Sequence, residues 1–326
     1  MKNYSKLQIL NGVKSICLLT HMQPDADALS STIVFREFLK KHFNVSKVDI
    51  FSECSNVPEN CLPILNRVKV NNKPTNYQVA IMMDCPNSDR LGEYKLLFNK
   101  AKTKIVIDHH ATNQYQGDVN IVEFVSSTCE IIYSILKHFK FQISNENKGK
   151  LYAGLITDTN NFTVGNITPI TFKIANEFAP HINRELIYKN FLANNTLKNL
   201  QLLSLAIQNT VTFEHGQIII SHITQEQANQ YRANFDDCHS IVNELATINS
   251  AKLVCFIRPK ENGYYVSLRG RQKANVSRIA KKYNGGGHIG AAAFISDKSL
   301  MELEQIILNE FREELTKIPK QSEKIF

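Results

Sequence analysis

The sequence predicts an α/β protein in which a mostly parallel sheet domain is joined by a helical connector to a smaller α+β domain. Three observations support this prediction. Short apolar runs alternate with helix-like stretches in the first half of the chain. Residues 168–210 have a helical pattern without a strand signal, and the strands after them come as hairpins. We place the domains at residues 1–190 and 211–326, with residues 191–210 as the connector.

Four apolar runs predict the strands of the parallel sheet. Each consists of β-branched or large apolar residues without strict alternation, which is typical of strands covered on both faces. The predicted strands are residues 15–21, 48–52, 78–84 and 104–110. Apolar residues that recur with helical periodicity predict helices at residues 24–42, 127–139 and about 147–156. This βαβ alternation indicates an open α/β sheet.

Two hairpins and a terminal helix are predicted in the last third of the chain. The first hairpin joins residues 213 and 218 through a turn that contains a glycine. The second spans residues 253–269 and turns at E-N-G. The terminal helix covers residues 298–318. Hairpins combined with helices predict the α+β character of the second domain.

Length and composition exclude several classes of protein. At about 150 residues per domain, the 326 residues predict roughly two domains. Hydrophobic residues make up 43% of the chain, which is too high a share for a disordered polymer. The longest apolar runs are far shorter than the ~18 residues that a membrane span needs. The sequence therefore predicts a globular protein without a membrane partner.

Cysteine usage and the first residues indicate the compartment. The seven cysteines contain no C-x-x-C pair, so neither a disulfide scaffold nor a thiolate zinc site is expected. Residues 1–13 carry Lys, Asn and Gly where a signal peptide has an unbroken apolar core. We therefore expect a cytoplasmic protein. A formal net charge of +8 can attract anionic partners such as nucleotides, but we favour the general abundance of Lys and Asn along the chain as its explanation.

Carboxylates and histidines follow three of the predicted strands and one predicted helix. In chain order they are His21, Asp25, Asp27, Asp84, Asp108, His109, His110 and Asp158. Ligand sites in open α/β sheets lie at the carboxyl ends of the strands. We therefore expect these side chains to meet at one edge of the sheet.

Taken singly, each of these residues has an ordinary structural explanation. An aspartate at a strand end often forms a turn or caps a helix, and His21 is explained equally well as a buried histidine. Taken together, the carboxylates would repel one another, and burying them unpaired costs several kcal/mol. Divalent cations offset this cost. Carboxylates mixed with imidazole, without thiolate, suit manganese or magnesium better than structural zinc.

The chain resembles the DHH phosphoesterase superfamily, and its second half resembles the DHHA1 domain. The resemblance rests on H-M-Q-P-D-A-D-A, D-H-H, G-L-I-T-D-T-N-N-F, S-L-R, N-V-S-R-I-A and G-G-G-H. It covers nearly the whole chain, and domain order and length are similar to the NrnA-type branch. Proteins of that branch degrade very short RNAs and dephosphorylate 3'-phosphoadenosine 5'-phosphate (pAp). The resemblance implies a two-metal phosphoesterase.

Two cations with one shared ligand are implied by the resemblance. The first would be held by His21, Asp25 and Asp84. The second would be held by Asp27, Asp84, His109 and Asp158, so that Asp84 bridges the pair. Manganese is the expected metal, with magnesium or cobalt as alternatives. Two cations about 3.5–4 Å apart acidify a shared water and clamp the oxygens of an in-line displacement.

The catalytic residues implied by the resemblance are Asp108 and His110. Asp108 would orient the site through a hydrogen bond that fixes an imidazole tautomer. His110 would contact the reacting phosphate, where it either protonates the leaving oxygen or stabilises charge. The sequence does not decide between these two roles of His110.

Substrate binding is expected mainly from the second domain. Arg269 can grip a phosphate with its guanidinium fork, and the loop with Gly286, Gly287 and His288 can bring backbone amides close to an anion. A glycine run alone predicts only a flexible turn. In the first domain, Arg90 matches a family position that faces the substrate, although a surface salt bridge also explains it.

The implied function is hydrolysis of short single-stranded RNA to nucleoside 5'-monophosphates and of pAp to AMP, in a cleft to which the second domain contributes. One enzymatic alternative is hydrolysis of cyclic dinucleotides or of their linear products such as pApA, which needs the same catalytic residues. An alternative of another class is a non-catalytic nucleotide- or nucleic-acid-binding protein, which would have lost a metal position. No such loss is visible in the sequence. Association into a homodimer remains open.

Overall fold

A computed structural model describes residues 4–52, 61–65, 68–193, 195–233, 238, 240–261, 263–271 and 273–318. Its contacts divide the chain into two compact units, Met1–Asn194 and Asn195–Phe326. Each unit contains its own sheet. Within the described part of the chain, no helix is both long and apolar enough to cross a bilayer.

The sheet of the first unit consists, within the described residues, of five parallel strands in the order β2-β1-β3-β4-β5. They are β1 (Ser15–Leu19), β2 (Lys47–Phe51), β3 (Val79–Met83), β4 (Thr103–Asp108) and β5 (Val119–Val122). This parallel sheet and the mixed sheet of the second unit confirm the predicted fold class.

Two details of the strand prediction are wrong. The predicted strands 15–21 and 104–110 end two residues too late, because the polar residues at their ends leave the sheet to form loops. Strand β5 was not predicted. It is short and lies at the sheet edge, and only Ile121 of its residues is buried, so its apolar pattern is weak.

Helices cover both faces of this sheet. Alternate residues of β1 point to opposite sides, with Ile16 in one apolar cluster and Cys17 in another. The first cluster contains residues of α1 (Ala26–His42), α4 (Thr128–His138) and α5 (Asn145–Asp158). The second contains Phe98 of α3 (Lys95–Lys100). Among the described residues of this unit, the remaining α-helices are α2 (Leu62–Leu65), α6 (Pro169–Phe178) and α7 (Arg184–Phe191).

The strand order creates a crevice between β1 and β3. The chain goes from β1 outward to β2 and then returns to place β3 on the other side of β1. The connections from these two strands therefore leave in opposite directions, and ligands of open α/β sheets bind at such a switch point. The loops that follow β1 and β3 carry His21 and Asp84.

The second unit contains a mixed sheet in the order β10-β11-β9-β8-β7-β6, in which only β7 and β8 are parallel among the described pairs. The strands are β6 (Val211–Phe213), β7 (Ile218–His222), β8 (Leu253–Lys260), β9 (Gly263–Gly270), β10 (Gly286–His288) and β11 (Ala291–Ser296). Both predicted hairpins are present as β6–β7 and β8–β9. Asn262 of the predicted E-N-G turn lies outside the described residues.

Helices also pack on both faces of the second sheet. They are α8 (Leu197–Gln208), α9 (Gln225–Gln230), α10 (Ile241–Leu245), α11 (Val276–Lys282) and α12 (Leu300–Leu315). Helix α8 falls in the segment that the sequence assigned to a connector. Its buried residues Leu202 and Ala206 share an apolar cluster with Ile219 and Phe256 of the sheet. Most of that segment therefore belongs to the packing of the second unit.

Candidate metal centre

The loop after β1 presents His21 and Asp25 with one free ligand atom each. The Nδ1 atom of His21 donates a hydrogen bond to the carbonyl of Met22 at 2.8 Å, so Nε2 carries the lone pair. This Nε2 lies 3.9 Å from Asp25 Oδ2. Asp25 Oδ1 caps helix α1 by accepting from Ala28 N at 3.0 Å. Asp25 is thus a helix cap, as the ordinary explanation holds, and its second oxygen still faces the imidazole.

Asp27 is fully buried in the first turn of α1. Its two oxygens accept hydrogen bonds from the first backbone amides of α4, at 2.7 Å from Thr128 N and 2.9 Å from Cys129 N. Burial, together with the neighbouring charges of Asp84 and Asp158, raises the pKa of Asp27 well above its ordinary value. An ionised Asp27 therefore needs positive charge beyond these two amides.

Asp84 lies between the other candidate ligands. It follows β3, is almost completely buried, and has a left-handed backbone conformation with φ of 52°. Its Oδ2 lies 3.9 Å from His21 Nε2, and its Oδ1 lies 3.6 Å from His109 Nε2. Asp84 therefore presents one oxygen to each of the two histidines.

The adjacent histidines of the D-H-H motif have different partners. His109 donates from Nδ1 to the carbonyl of Val125 at 3.2 Å, and its Nε2, which donates to Asp158 Oδ2 when the ring is protonated, lies 3.1 Å from that oxygen. His110 donates from Nδ1 to Asp108 Oδ1 at 2.7 Å. A hydrogen bond that occupies Nδ1 fixes the tautomer and directs Nε2 elsewhere. The two imidazoles therefore differ in their acidic partners, since His109 Nε2 lies near Asp84 and Asp158, whereas His110 Nδ1 is hydrogen-bonded to Asp108.

Asp158, the last residue of α5, completes the cluster. Burial raises its pKa to about 6, although the hydrogen bond from His109 acts in the opposite direction. The residues at this edge form three groups. Within each group, the potential ligand atoms all lie within 4.8 Å of one another. The groups are His21–Asp25–Asp84, Asp27–His109–Asp158 and Asp84–His109–His110.

All six residues predicted as ligands thus meet at one edge of the sheet. The first group is the first predicted ligand set, and the second group is the second predicted set without Asp84. Asp84 Oδ1 nevertheless lies 3.6 Å from His109 Nε2 of that second group. The donor set combines carboxylates, of which Asp27 and Asp84 are buried, with imidazole nitrogens, and this combination suits a divalent cation. In the third group, the Nδ1 atom of His110 is already bonded to Asp108. Assignment of each residue as a ligand stays a prediction.

Asp108 is hydrogen-bonded to His110 and Asn113, and its role as a positioning residue stays a prediction. It is fully buried, and its Oδ2 accepts a hydrogen bond from Asn113 Nδ2 at 2.6 Å, while Oδ1 accepts from His110. Burial raises and the His110 hydrogen bond lowers the pKa of Asp108, and the net effect is a lowered pKa. The carboxylate therefore stays ionised and orients the His110 ring.

Three residues around the centre were missed by the sequence reasoning. They are Asn113, Thr128 and Gly154. Asn113 follows the D-H-H motif closely, and Thr128 belongs to an S-S-T-x-E run that was interpreted only as a helix start. This polar run is a sequence signal that could have identified Thr128 as a candidate residue of the centre. Gly154 begins the G-L-I-T-D-T-N-N-F motif, but its contacts with the distant residues Asp27 and Cys129 have no signal in the sequence.

The substrate-binding candidates lie in both units. Arg90 is exposed in a 3-10 turn, Ser88–Tyr94, and its carbonyl accepts from Met22 N at 2.8 Å, next to His21. In the second unit, Arg269 donates from Nε to Asn243 Oδ1 at 2.8 Å. Burial lowers the pKa of Arg269. A hydrogen bond of this kind holds the guanidinium plane in one orientation.

The predicted G-G-G-H loop is in part a strand. Residues Gly286–His288 form β10, which pairs with β11 in antiparallel register. Gly287 has φ of 140°, and a Cβ there would come within 2.4 Å of the carbonyl oxygen of Ala291. A Cβ on Gly286 would meet nothing within 4 Å. Close strand pairing therefore explains Gly287 without any ligand, whereas Gly286 is open.

Comparison with known proteins identifies relatives of both units. Residues 15–157 match the family model described as "DHH family, N-terminal domain", and residues 215–317 match that of the DHHA1 domain. The bifunctional oligoribonuclease and PAP phosphatase NrnA of Bacillus subtilis is 26% identical over 305 residues, which cover 90% of this chain and 94% of that protein.

Solved structures with the same fold include two with informative names. An exopolyphosphatase-related protein from Bacteroides fragilis superposes with a TM-score of 0.86 at 21% identity, covering 96% of this chain and 95% of that one. The pGpG-specific phosphodiesterase PggH from Vibrio cholerae superposes with a TM-score of 0.50 at 11% identity, covering 93% and 99%. At these identities the likeness concerns the fold alone.

Proposed function

The chain belongs to the DHH family of phosphoesterases, and we propose that it is a two-metal enzyme that hydrolyses short oligoribonucleotides to nucleoside 5'-monophosphates and pAp to AMP. The observation that supports a two-metal centre best is the position of Asp84, whose Oδ2 lies 3.9 Å from His21 Nε2 and whose Oδ1 lies 3.6 Å from His109 Nε2. A carboxylate between two ligand groups is the arrangement that holds two cations at a short distance.

The cations of this proposal are manganese, held by the two ligand groups described above. When bound, such ions acidify a water molecule and stabilise charge on the oxygens of the reacting phosphate. Their positive charge also offsets the mutual repulsion of Asp27 and Asp84, which are buried, and of the half-buried Asp158 beside them. Magnesium and cobalt remain alternatives that a metal titration separates.

The roles of the other residues follow from their hydrogen bonds. His110 is fixed by Asp108, so its Nε2 can contact a phosphate oxygen or the leaving oxygen of the substrate. Arg90 and Arg269 supply positive charge for the phosphates of the substrate. Short RNA and pAp share a phosphate ester next to a terminal nucleotide, and the Bacillus subtilis relative is named for both activities. One site therefore serves both substrates in this proposal.

Linear dinucleotides are the second candidate substrate. The fold neighbour PggH is named as a phosphodiesterase specific for pGpG. Hydrolysis of pGpG or pApA needs the same ligands and the same His110 as hydrolysis of a longer strand. The two candidates are therefore separated only by measured preference for substrate length and base.

A substrate panel tests the proposal. Purified full-length protein with manganese is given pAp, pApA, pGpG, a five-nucleotide RNA, a 24-nucleotide RNA and cyclic di-AMP, and nucleoside monophosphates are measured. We expect fastest release from the short RNA and pAp, and none after chelation or with Asp84→Ala. Asp297→Asn, which changes an exposed aspartate of the second unit, should retain wild-type rates.

Several results would contradict different parts of the proposal. Fastest cleavage of the 24-nucleotide RNA would contradict the preference for short substrates, and fastest cleavage of pApA or pGpG would favour the second candidate. Retained activity of Asp84→Ala, or activity in the presence of excess chelator, would contradict the two-metal centre itself. Binding of nucleotides without any turnover would favour the non-catalytic alternative.

A further inference from the structure

Thr128 is hydrogen-bonded to two of the six predicted ligands at once. Its backbone amide donates to Asp27 Oδ2 at 2.7 Å, and its hydroxyl donates to Asp84 Oδ1 at 2.8 Å. Asp27 belongs to one ligand group, and Asp84 contacts both groups. Thr128 is itself fully buried, so no water competes with its hydroxyl for Asp84. The position of this single residue therefore determines where both carboxylates point.

We propose that Thr128 is a positioning residue of the metal centre, whose hydroxyl holds Asp84 in the orientation that offers one oxygen to each cation. This inference rests on the proposed two-metal function. A donor on Oδ1 occupies one lone-pair direction of that oxygen and leaves the other for a cation. Without the donor, the Asp84 carboxylate can rotate about its χ2 angle, whose energy profile is broad.

The geometry also explains why a threonine at a helix start is suited to this role. Thr128 is the first residue of α4, and Ser127 caps the helix by accepting from Glu130 N at 3.2 Å. Amides of a first helical turn have no partner within the helix, so Thr128 N and Cys129 N are available to Asp27. The positive end of the helix dipole stabilises the carboxylate that they bind.

Glu130 anchors this turn to a second helix. It is fully buried and accepts hydrogen bonds from three hydroxyls, those of Ser126 at 2.5 Å, Thr171 at 2.6 Å and Thr168 at 2.7 Å. Thr168 is the cap of helix α6. Because the two helix starts are tied through one carboxylate, the first turn of α4 cannot shift without breaking several hydrogen bonds. The Thr128 hydroxyl is thereby held in place opposite Asp84.

Isosteric substitutions of Thr128 test whether its hydroxyl positions Asp84 or only stabilises the fold. Thr128→Val keeps the shape and the backbone amide that binds Asp27, but removes the hydroxyl. Thr128→Ser keeps the hydroxyl. Thr32→Val is the matched control, because Thr32 is fully buried in the same unit and its hydroxyl has no hydrogen-bond partner among the described residues. A purely structural hydroxyl would change the unfolding temperature of the metal-free protein without changing metal affinity.

Manganese binding to the full-length metal-free protein is measured by calorimetry and by electron paramagnetic resonance of the free ion. We expect Thr128→Val to weaken manganese binding about 10- to 100-fold, as loss of a partner behind a metal ligand typically does. Thr128→Ser and Thr32→Val should bind as tightly as the wild type. Thr128→Ala is measured in parallel at low temperature, in case the valine variant does not fold.

Either hydroxyl-free variant binding manganese as tightly as the wild type would overturn the inference. Equal losses of affinity in Thr128→Ser and Thr128→Val would also overturn it, because the serine retains the donor. The proposed function fails in a different way, since a wild-type protein that binds no manganese at all contradicts the two-metal centre whatever the variants do.

Discussion

Gly154 lies directly against Asp27. A Cβ built on Gly154 would come within 2.8 Å of Asp27 Oδ1 and within 2.5 Å of Cys129 Sγ, so only a glycine fits. Gly154 is one helical turn before Asp158 on α5. Because Gly154 has no side chain, α5 approaches α1 and α4 closely. This approach brings Asp158 near Asp27.

Substitution of Gly154 by alanine should separate these helices. Overpacking of a buried site typically costs about 1–3 kcal/mol of the free energy of unfolding. We expect Gly154→Ala to lower the unfolding temperature and to weaken manganese binding. Gly149→Ala on the same helix is the control, because its Cβ would meet only ordinary contacts at 3.8 Å or more. A Gly154→Ala protein with unchanged stability and affinity would contradict the packing described here.

Asp84→Asn should lower the activity of the enzyme without preventing it from folding. Asparagine tolerates the left-handed conformation with φ of 52° nearly as well as aspartate does, so the variant should fold. Loss of the shared carboxylate charge should lower kcat/KM by at least the ~100-fold that loss of an outer partner causes. Circular dichroism and turnover of pAp measure the two effects. Asp84→Val, which is strained at positive φ, should additionally be less stable than Asp84→Asn.

His110→Ala should reduce turnover and leave metal binding intact. The Nδ1 atom of His110 is hydrogen-bonded to Asp108, which is not one of the six predicted metal ligands. The variant therefore keeps all six predicted ligand side chains. Loss of a general acid or base typically lowers kcat by about 10²- to 10⁴-fold. His109→Ala provides the contrast, because its Nε2 faces Asp84 and Asp158 and its removal should weaken manganese binding. Calorimetry that shows the reverse pattern would exchange the roles of the two histidines.

Arg269→Lys should raise KM for short RNA and leave kcat and manganese affinity unchanged. Lysine cannot bond Asn243 and a phosphate in the orientation that the guanidinium fork provides. Loss of a hydrogen bond to a charged group is worth about 1.5–3 kcal/mol, which predicts a KM at least about tenfold higher. Arg312→Lys is the control in the same unit, where the arginine is exposed and pairs with Glu214 at 2.9 Å. A fall in kcat alone would place Arg269 outside substrate binding.

Much of the candidate centre could be predicted because its ligands are signalled locally. Aspartates and histidines at the ends of apolar runs are recognisable one segment at a time, and strands in a parallel sheet end at the same edge. Strand β5 could not be predicted, because an exposed edge strand needs few apolar residues. Nor could the G-G-G-H segment be recognised as a strand, since its pairing with Ala291–Ser296 gives glycine a packing role that composition does not show.

The sequence by itself determined the fold class, the residue types of the centre and the segments that supply them. These depend on periodicity and on short motifs, which act within a few residues. Only the tertiary structure decided that Thr128 would reach Asp84 and that Gly154 would lie against Asp27, across separations such as the 101 residues between Asp27 and Thr128. Contacts of this kind arise from the packing of α1, α4 and α5 on one face of the sheet, and close packing has no local sequence pattern.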